Sequence, residues 1–264
     1  MKTFNGKTIW ITGASSGIGK ALAVALSPLD CKLILSARRA EKLEETQQLC
    51  TCPEDVEILP LDLAKHADME SLANKAISKF GTVDVLVNNA GISQRSLIAE
   101  TDFSVYKTMM DINYLGTVAL TKALLPHFMT QNSGHFVTVT SLMGKFGSPY
   151  RSGYCGAKHA LHGFFDVLRM EHETNNIDVT MVCPGFVQTA VAKNALTADG
   201  TPQNENDTAT QNGLPADVVA QKIIKAIQAK RFEVYIGQKE VQGIYLKRFF
   251  PKLLHKVVLK SQVR

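Results

Sequence analysis

A chain of 264 residues, 45% apolar and 20% charged, is long enough to bury one sizeable α/β core. Its formal charge of +5 is concentrated in the tail, where Lys247, Arg248, Lys252, Lys256, Lys260 and Arg264 occur with no acid. The remainder sums to −1, which argues against a general nucleic-acid-binding surface. No apolar run reaches the roughly eighteen residues of a transmembrane helix, and residues 1–7 read as neither secretory signal nor transit peptide. The five cysteines (Cys31, Cys50, Cys52, Cys155, Cys183) contain no Cys-x-x-Cys pair and read as reduced thiols of a cytoplasmic protein.

The first predicted element is a strand over Lys7 to Thr12, followed by Gly13-Ala14-Ser15-Ser16-Gly17-Ile18-Gly19 and a helical pattern from Lys20 to Leu26. Strand, glycine turn and helix in that order make a phosphate site. The glycines admit close backbone approach, and the helix N-terminus offers unpaired N–H groups. A second strand, Cys31 to Ser36, ends at Ala37-Arg38-Arg39. An NAD site would carry a carboxylate there for the ribose 2′-hydroxyl, whereas two guanidiniums suit a 2′-phosphate, so the expected cofactor is NADP(H). The plainer alternative is that both arginines only begin the solvated helix Ala40 to Cys50.

The alternation continues with a strand over Val56 to Leu59 leading into Leu61-Asp62-Leu63, a helix over Asp68 to Phe80, and a strand over Val83 to Val87 closing in Asn88-Asn89-Ala90-Gly91. Asp62 would stand by an adenine edge, with Leu63 beside it, and Asn89, Ala90 and Gly91 at a ribose; on pattern alone they are equally turn residues. A long helical stretch from Phe103 to His127 contains Asn113, a poor helix former that is either tolerated or kept for its side chain. His135 to Thr140 reads as a buried strand whose carboxyl end delivers Ser141, the edge at which open α/β sheets bind ligands.

Thirteen residues on, Tyr154 and Lys158 share one face of the next helix, which continues through Glu173. A phenol of ordinary pKa about 10 is a poor proton carrier near neutrality, but a fixed ammonium beside it favours tyrosinate. Tyr-x-x-x-Lys also arises by accident, so the inference rests on the neighbouring motifs. A sixth strand over Ile177 to Cys183 ends in Pro184-Gly185. The polar, turn-rich stretch 186–214 reads as a substrate loop or lid. Pro215 opens a further helix as its N1 residue, and Phe232 to Ile236 is the last strand. The near-continuously apolar strands separated by helices predict an α/β fold, a Rossmann-type doubly wound parallel sheet of about seven strands with helices on both faces, as a single domain over 1–264.

Together these motifs make the chain resemble the short-chain dehydrogenase/reductase family in its single-domain form, over nearly the whole length from Lys7 to about Ile236. The resemblance rests on Thr12-Gly13-x-x-x-Gly17-x-Gly19, Asn88-Asn89-Ala90-Gly91, Asn113, Ser141, Tyr154-x-x-x-Lys158 and Pro184-Gly185, in that order. It implies an enzyme interconverting a carbonyl and a primary or secondary alcohol with NADP(H). Tyr154 would be the general acid or base, Lys158 would lower its pKa and hold the nicotinamide ribose, Ser141 would bind the substrate oxygen, and Asn113 would hold a water linking Lys158 to solvent. Val187 and Thr189 would contact the nicotinamide half. It also implies a homodimer or homotetramer and a small-molecule carbonyl or alcohol substrate. A non-catalytic NADP(H)-binding regulator is the competing reading; it would be expected to lack Tyr154, Lys158 or Ser141. An epimerase or dehydratase would call for a longer chain.

Two features invite other readings. Cys155, His159, His162 and Asp166 form a stripe suited to zinc, but the implied reaction needs no metal and none is expected. In the tail 240–264, Leu246, Phe249, Phe250, Leu253, Leu254 and Val257 recur at helical spacing among basic residues, with Pro251 dividing two short helices. The expected role is packing on the chain's own domain or a partner subunit. Peripheral contact with an anionic membrane and a grip on lipophilic substrate are the alternatives.

Overall fold

The computed structural model describes residues 4–205 and 207–261; Met1 to Thr3, Asn206 and the tail's Arg264 lie outside them. Seven strands form one parallel sheet: β1 (Thr8–Thr12), β2 (Lys32–Ser36), β3 (Val56–Ile58), β4 (Val85–Asn88), β5 (Gly134–Val139), β6 (Ile177–Pro184) and β7 (Glu233–Ile236). Their spatial order is β3-β2-β1-β4-β5-β6-β7, the expected doubly wound arrangement. Ten helices accompany them among the described residues: α1 (Gly17–Leu26), α2 (Ala40–Gln47), α3 (Met69–Phe80), α4 (Phe103–Met110), α5 (Gly116–Thr130), α6 (Ser152–Glu171), α7 (Thr208–Gln211), α8 (Ala216–Gln228), α9 (Gln242–Phe249) and α10 (Pro251–Lys260).

The two-residue period of β1 explains how both faces are filled. Ile9 and Ile11 join Leu22 and Leu26 of α1 and Val219 and Ile223 of α8 on one side. Trp10, pointing the opposite way, joins Leu120 and Phe128 of α5, Phe136 of β5 and Phe165 of α6. Trp10 has no exposed surface, and its indole N–H donates to Ser36 Oγ at 2.8 Å, which in turn donates to Leu59 O at 2.6 Å. The buried polar edge is thus satisfied, and truncating such a side chain typically costs about 3–5 kcal/mol.

Because all strands run the same way, Thr12, Ser36, Asn88, Val139 and Pro184 finish on one edge of the sheet. Between β1 and β4 the strand order reverses, leaving a crevice at that edge.

Several boundaries differ from the sequence expectation. Pro215 is the residue before α8, with ψ 144, so it caps the helix from outside and is not N1. The stretch around Asn113 is a π-helical segment, Asp111–Leu115, between α4 and α5, which explains how a poor α-former is accommodated. The loop 186–214 is ordered by α7 and by isolated bridges from Val187 to Leu214 and from Gln94 to Leu196. Pro251 does split the tail into α9 and α10. The expected packing of its apolar side is only partly realised, since Leu254 is buried while Phe249, Phe250, Leu253 and Val257 are exposed.

Candidate active site

The crevice opens into a cavity of about 1380 Å³, and its first wall is the glycine turn after β1. Thr12 fixes that turn. Its hydroxyl donates to Val87 O at 3.2 Å and accepts from the backbone N–H groups of Asn89 at 3.0 Å and Ala90 at 3.1 Å. Asn89 returns the contact by donating from Nδ2 to Thr12 O at 2.9 Å and Gly13 O at 3.3 Å. The ends of β1 and β4 are therefore joined by side-chain bonds that neither strand's ladder provides.

Gly13 sits at φ +67, and a Cβ there would lie 2.8 Å from Ala90 Cα, so any larger residue is excluded by strain and by space together. Gly19 is needed for a different reason: a Cβ would run into Gly13 O. It packs behind the turn, outside the cavity lining, while Gly13, Ser15, Ser16, Gly17 and Ile18 form the wall. Helix α1 starts there with no side-chain cap from Ser16 and no acidic residue in its first turn, leaving its N-terminal N–H groups for an anion.

Around the same cavity lie Arg38 and Arg39 after β2, Asp62 and Leu63 after β3, Asn89, Ala90 and Gly91 after β4, and Val187 and Thr189 after β6. Both arginines are exposed, and among the described residues neither is ion-paired. Asp62 Oδ1 accepts from Ala64 N at 3.1 Å, so it makes an Asx-type turn as well as facing the cavity. Thr189 closes toward the glycine turn, for a Cβ on Gly17 would meet its Cγ2 at 3.0 Å. These features fit a dinucleotide: close backbone approach at the turn, helix-end donors without a side-chain cap, and two cations after β2.

At the other end, Ser141, Tyr154 and Lys158 meet on the cavity wall. Ser141 caps the short turn Leu142–Gly144, accepting from Met143 N at 3.1 Å and donating to Pro184 O at 3.3 Å. Tyr154 and Lys158 lie one turn apart on α6, with Lys158 Nζ 5.8 Å from the centre of the Tyr154 ring. The same ammonium donates to Val139 O at 2.9 Å. Burial lowers the Lys158 pKa to about 8, so the amine is mostly charged at neutrality.

Burial also dominates at Tyr154 and raises its pKa, while a hydrogen bond with Ser141 and the charges of Arg95 and Arg151 act in the opposite direction. Lys158 is not among the main causes, contrary to the expectation that its charge would set the phenol's acidity. Burial thus favours the protonated phenol beside Ser141. Asn113 is fully buried and lines no wall; its Oδ1 accepts from Ile92 N at 2.8 Å and its Nδ2 donates to Ile92 O at 3.0 Å. It pins the backbone after Gly91 to the π-helical segment.

Sequence reasoning passed over Arg95, Arg151 and Asp207, which come together from three distant segments. Arg95 donates to Asp207 Oδ2 from Nε at 3.1 Å and Nη2 at 2.7 Å, and Arg151 Nη2 reaches the same oxygen at 3.5 Å. Asp207 Oδ1 accepts from Thr210 N at 2.6 Å, capping α7. Burial acts to raise the Asp207 pKa, but the bonds from Thr210 and Arg95 outweigh it and hold the carboxyl below its ordinary value. Gln94 was also missed; its Oε1 accepts from Gly153 N at 2.7 Å and secures the first turn of α6 beside Tyr154. No local motif marks any of these residues, because the partners are brought together only by the fold.

The zinc stripe does not form a cluster. Among the described residues the His, Cys, Asp and Glu side chains suited to a metal are His162, Cys183 and Glu233, within 4.8 Å of one another. Glu233 is already held by Lys145 at 2.6 Å, and burial raises Cys183 to about 12, so the cluster reads as a closed polar network.

The family model for short chain dehydrogenases matches residues 7–200. The dehydrogenase/reductase SDR family protein 7-like of Drosophila melanogaster is 37% identical over 265 residues, covering 98% of this chain and 81% of its own. A short chain dehydrogenase/reductase from Burkholderia phymatum, solved with NAD, aligns with a TM-score of 0.85 at 25% identity, over 96% of both chains. An archaeal alcohol dehydrogenase from Thermococcus sibiricus, complexed with 5-hydroxy-NADP, aligns with a TM-score of 0.75 at 26% identity, over 89% of this chain and 97% of its own.

Proposed function

The chain belongs to the short-chain dehydrogenase/reductase family and is an oxidoreductase; on that premise we propose that it interconverts a carbonyl and a primary or secondary alcohol with NADP(H), Tyr154 carrying the proton. The observation behind this reading is that one cavity is walled by the glycine turn at one end and by Ser141, Tyr154 and Lys158 at the other. All three catalytic groups are present, which counts against a regulatory protein that binds without turnover.

The dinucleotide would be held by Gly13, Ser15, Ser16, Gly17 and Ile18 at its phosphates, Arg38 and Arg39 at the 2′-phosphate, Asp62 and Leu63 at the adenine, Asn89, Ala90 and Gly91 at a ribose, and Val187 and Thr189 toward the nicotinamide. Its ring supplies the hydride when bound. Ser141 orients the substrate oxygen, and Tyr154 gives that oxygen a proton in reduction or takes it back in oxidation. The raised phenol pKa favours the acid role near neutrality. Lys158, charged below about 8, holds the ribose and stabilises tyrosinate after the proton has left.

NADP(H) is preferred over NAD(H) because no carboxylate stands at 37–39 after β2, and both guanidiniums belong to residues lining the cavity that, among the described residues, are not ion-paired. A homodimer or homotetramer is in keeping with Val167 and Met170 exposed along the outer side of α6. Placement in the cytoplasm accords with five free cysteines, four of them buried. The direct test is to incubate the purified protein with panels of ketones, aldehydes and alcohols and each of the two coenzymes, following reduced-coenzyme absorbance. Turnover with NADPH and little with NADH is expected; no turnover with any carbonyl would remove the reading.

A further inference from the structure

The inner side of the tail belongs to the cavity, since Leu246, Leu254 and Val258 contribute to its lining. The outer side is left uncovered by the described residues. Tyr245 is 57% exposed, Phe249 68%, Phe250 62%, Leu253 49% and Leu259 64%. Singly exposed apolar residues are ordinary, but five within fifteen residues make a patch that calls for a partner.

The charges define that partner. From Gln242 to Ser261 the chain carries Lys247, Arg248, Lys252, Lys256 and Lys260 and no acid. At about 100° per residue, Lys252, Lys256 and Lys260 fall in one arc of α10, followed around the helix by Leu253 and Val257 and then by the cavity-facing Leu254 and Val258. Val257 lines the cavity and is also 47% exposed, so the exposed apolar stripe continues into the cavity wall. A second copy docked about a two-fold axis would oppose one acid-free segment with five positive charges to another, which disfavours self-association here. A flat surface with negative headgroups above hydrocarbon matches both features, with lysines among the headgroups and aromatic and aliphatic side chains below them.

We propose that the outer face of α9 and α10 docks on an anionic bilayer surface, so that the cavity opens toward the lipid and takes lipophilic carbonyl or alcohol substrates from it. The statement about substrates rests on the carbonyl–alcohol reading above; the docking does not. Helices of 8 and 10 residues lie on such a surface and do not cross it.

The test is co-sedimentation of the full chain with vesicles of phosphatidylcholine alone or with about one-third phosphatidylserine. Wild type should pellet with the anionic vesicles at least about tenfold better than with the neutral ones, and added salt should weaken it. Phe249→Ser combined with Phe250→Ser and Leu253→Ser should reduce binding about tenfold or more. Lys252→Gln, Lys256→Gln and Lys260→Gln should each reduce it by about fivefold. None of these residues is a member of the buried core or of the cavity lining, so an unchanged melting temperature will verify the fold.

Tyr154→Phe should pellet as wild type does, which separates loss of docking from loss of the catalytic reading. Wild type remaining in the supernatant with both vesicles, or serine variants that bind undiminished, overturns the proposal. So does a dimer broken by the serine substitutions in light scattering with no vesicle binding, which would give the face to a second copy.

Discussion

Arg95 and Asp207, 112 residues apart in the chain, are joined by two hydrogen bonds from one guanidinium to one carboxylate oxygen. Both side chains are at most 5% exposed, so this is a buried pair tying the 186–214 loop to the segment that follows β4. Breaking such a pair by neutralising one member leaves an uncompensated charge and typically costs about 3–5 kcal/mol. Asp207→Asn should therefore lower stability on that order in denaturant titrations. It should also raise KM for substrate more than it lowers kcat, because the loop loses its anchor while Tyr154 stays in place. An Asp207→Asn protein as stable as wild type would show that the pair contributes no net stability.

Tyr154→Phe should reduce turnover by about 10²–10⁴-fold, the usual contribution of a positioned proton donor. Coenzyme affinity should change little, because the ring and its packing on α6 are retained. Single-turnover kinetics together with coenzyme titration separate the two effects, and preserved turnover would assign the proton to another group.

Replacing Arg38 and Arg39 by alanine should weaken NADPH by about 10- to 100-fold, the loss expected for charge-assisted hydrogen bonds to a phosphate. NADH should bind nearly as before. Equal losses for both coenzymes would mean that the two arginines only begin α2.

These expectations were open to sequence reasoning to different degrees. The sheet was legible because each strand is an apolar run bounded by a helix, and parallel strands buried on both faces leave that signature. Thr12, Gly13, Ser141, Tyr154 and Lys158 were legible because their chemistry and spacing are local. Arg95, Gln94 and Asp207 were not, since an isolated arginine or aspartate carries no sign of what it will meet after folding. The direction of the Tyr154 shift was misjudged for a related reason: helix spacing reveals the neighbouring ammonium but not the protein packed around the phenol. In the tail, periodicity located both helices but did not tell a face turned to the core from one left outside.

The shifts at Tyr154 and Lys158 set, under the proposed mechanism, a different pH dependence for each direction of reaction. Reduction needs protonated Tyr154, whose raised pKa keeps it loaded through neutrality, and charged Lys158, which loses its proton as pH passes about 8. The rate of reduction should accordingly be level below that point and fall above it. Oxidation needs tyrosinate beside charged Lys158, so its rate should increase with pH from neutrality to about 8 and stop increasing above it. Initial rates in both directions across pH 6–10, at saturating coenzyme, check the pair of slopes against the ordinary tyrosine value of about 10; a reduction rate rising through pH 8 would contradict these assignments.

Gly91 gives the sharpest test of the π-helical segment. A Cβ on it would lie 2.7 Å from Asn113 Oδ1 and 3.6 Å from Lys158 Nζ. The first distance is shorter than side chains tolerate, and Asn113 cannot simply turn away because it is bonded at both ends to Ile92. Gly91→Ala must therefore break that pair or displace the strand end, at about 1–3 kcal/mol for overpacking against the buried Asn113 side chain. Coenzyme affinity should fall as well, since Asn89, Ala90 and Gly91 form the wall at the proposed ribose position. Asn113→Ala removes the obstructing oxygen while leaving Ile92 N and O unpaired. Combining it with Gly91→Ala should recover part of the lost coenzyme affinity relative to Gly91→Ala alone, a non-additivity that a double-mutant cycle would read directly. Strict additivity of the two substitutions would mean that the strain lies elsewhere.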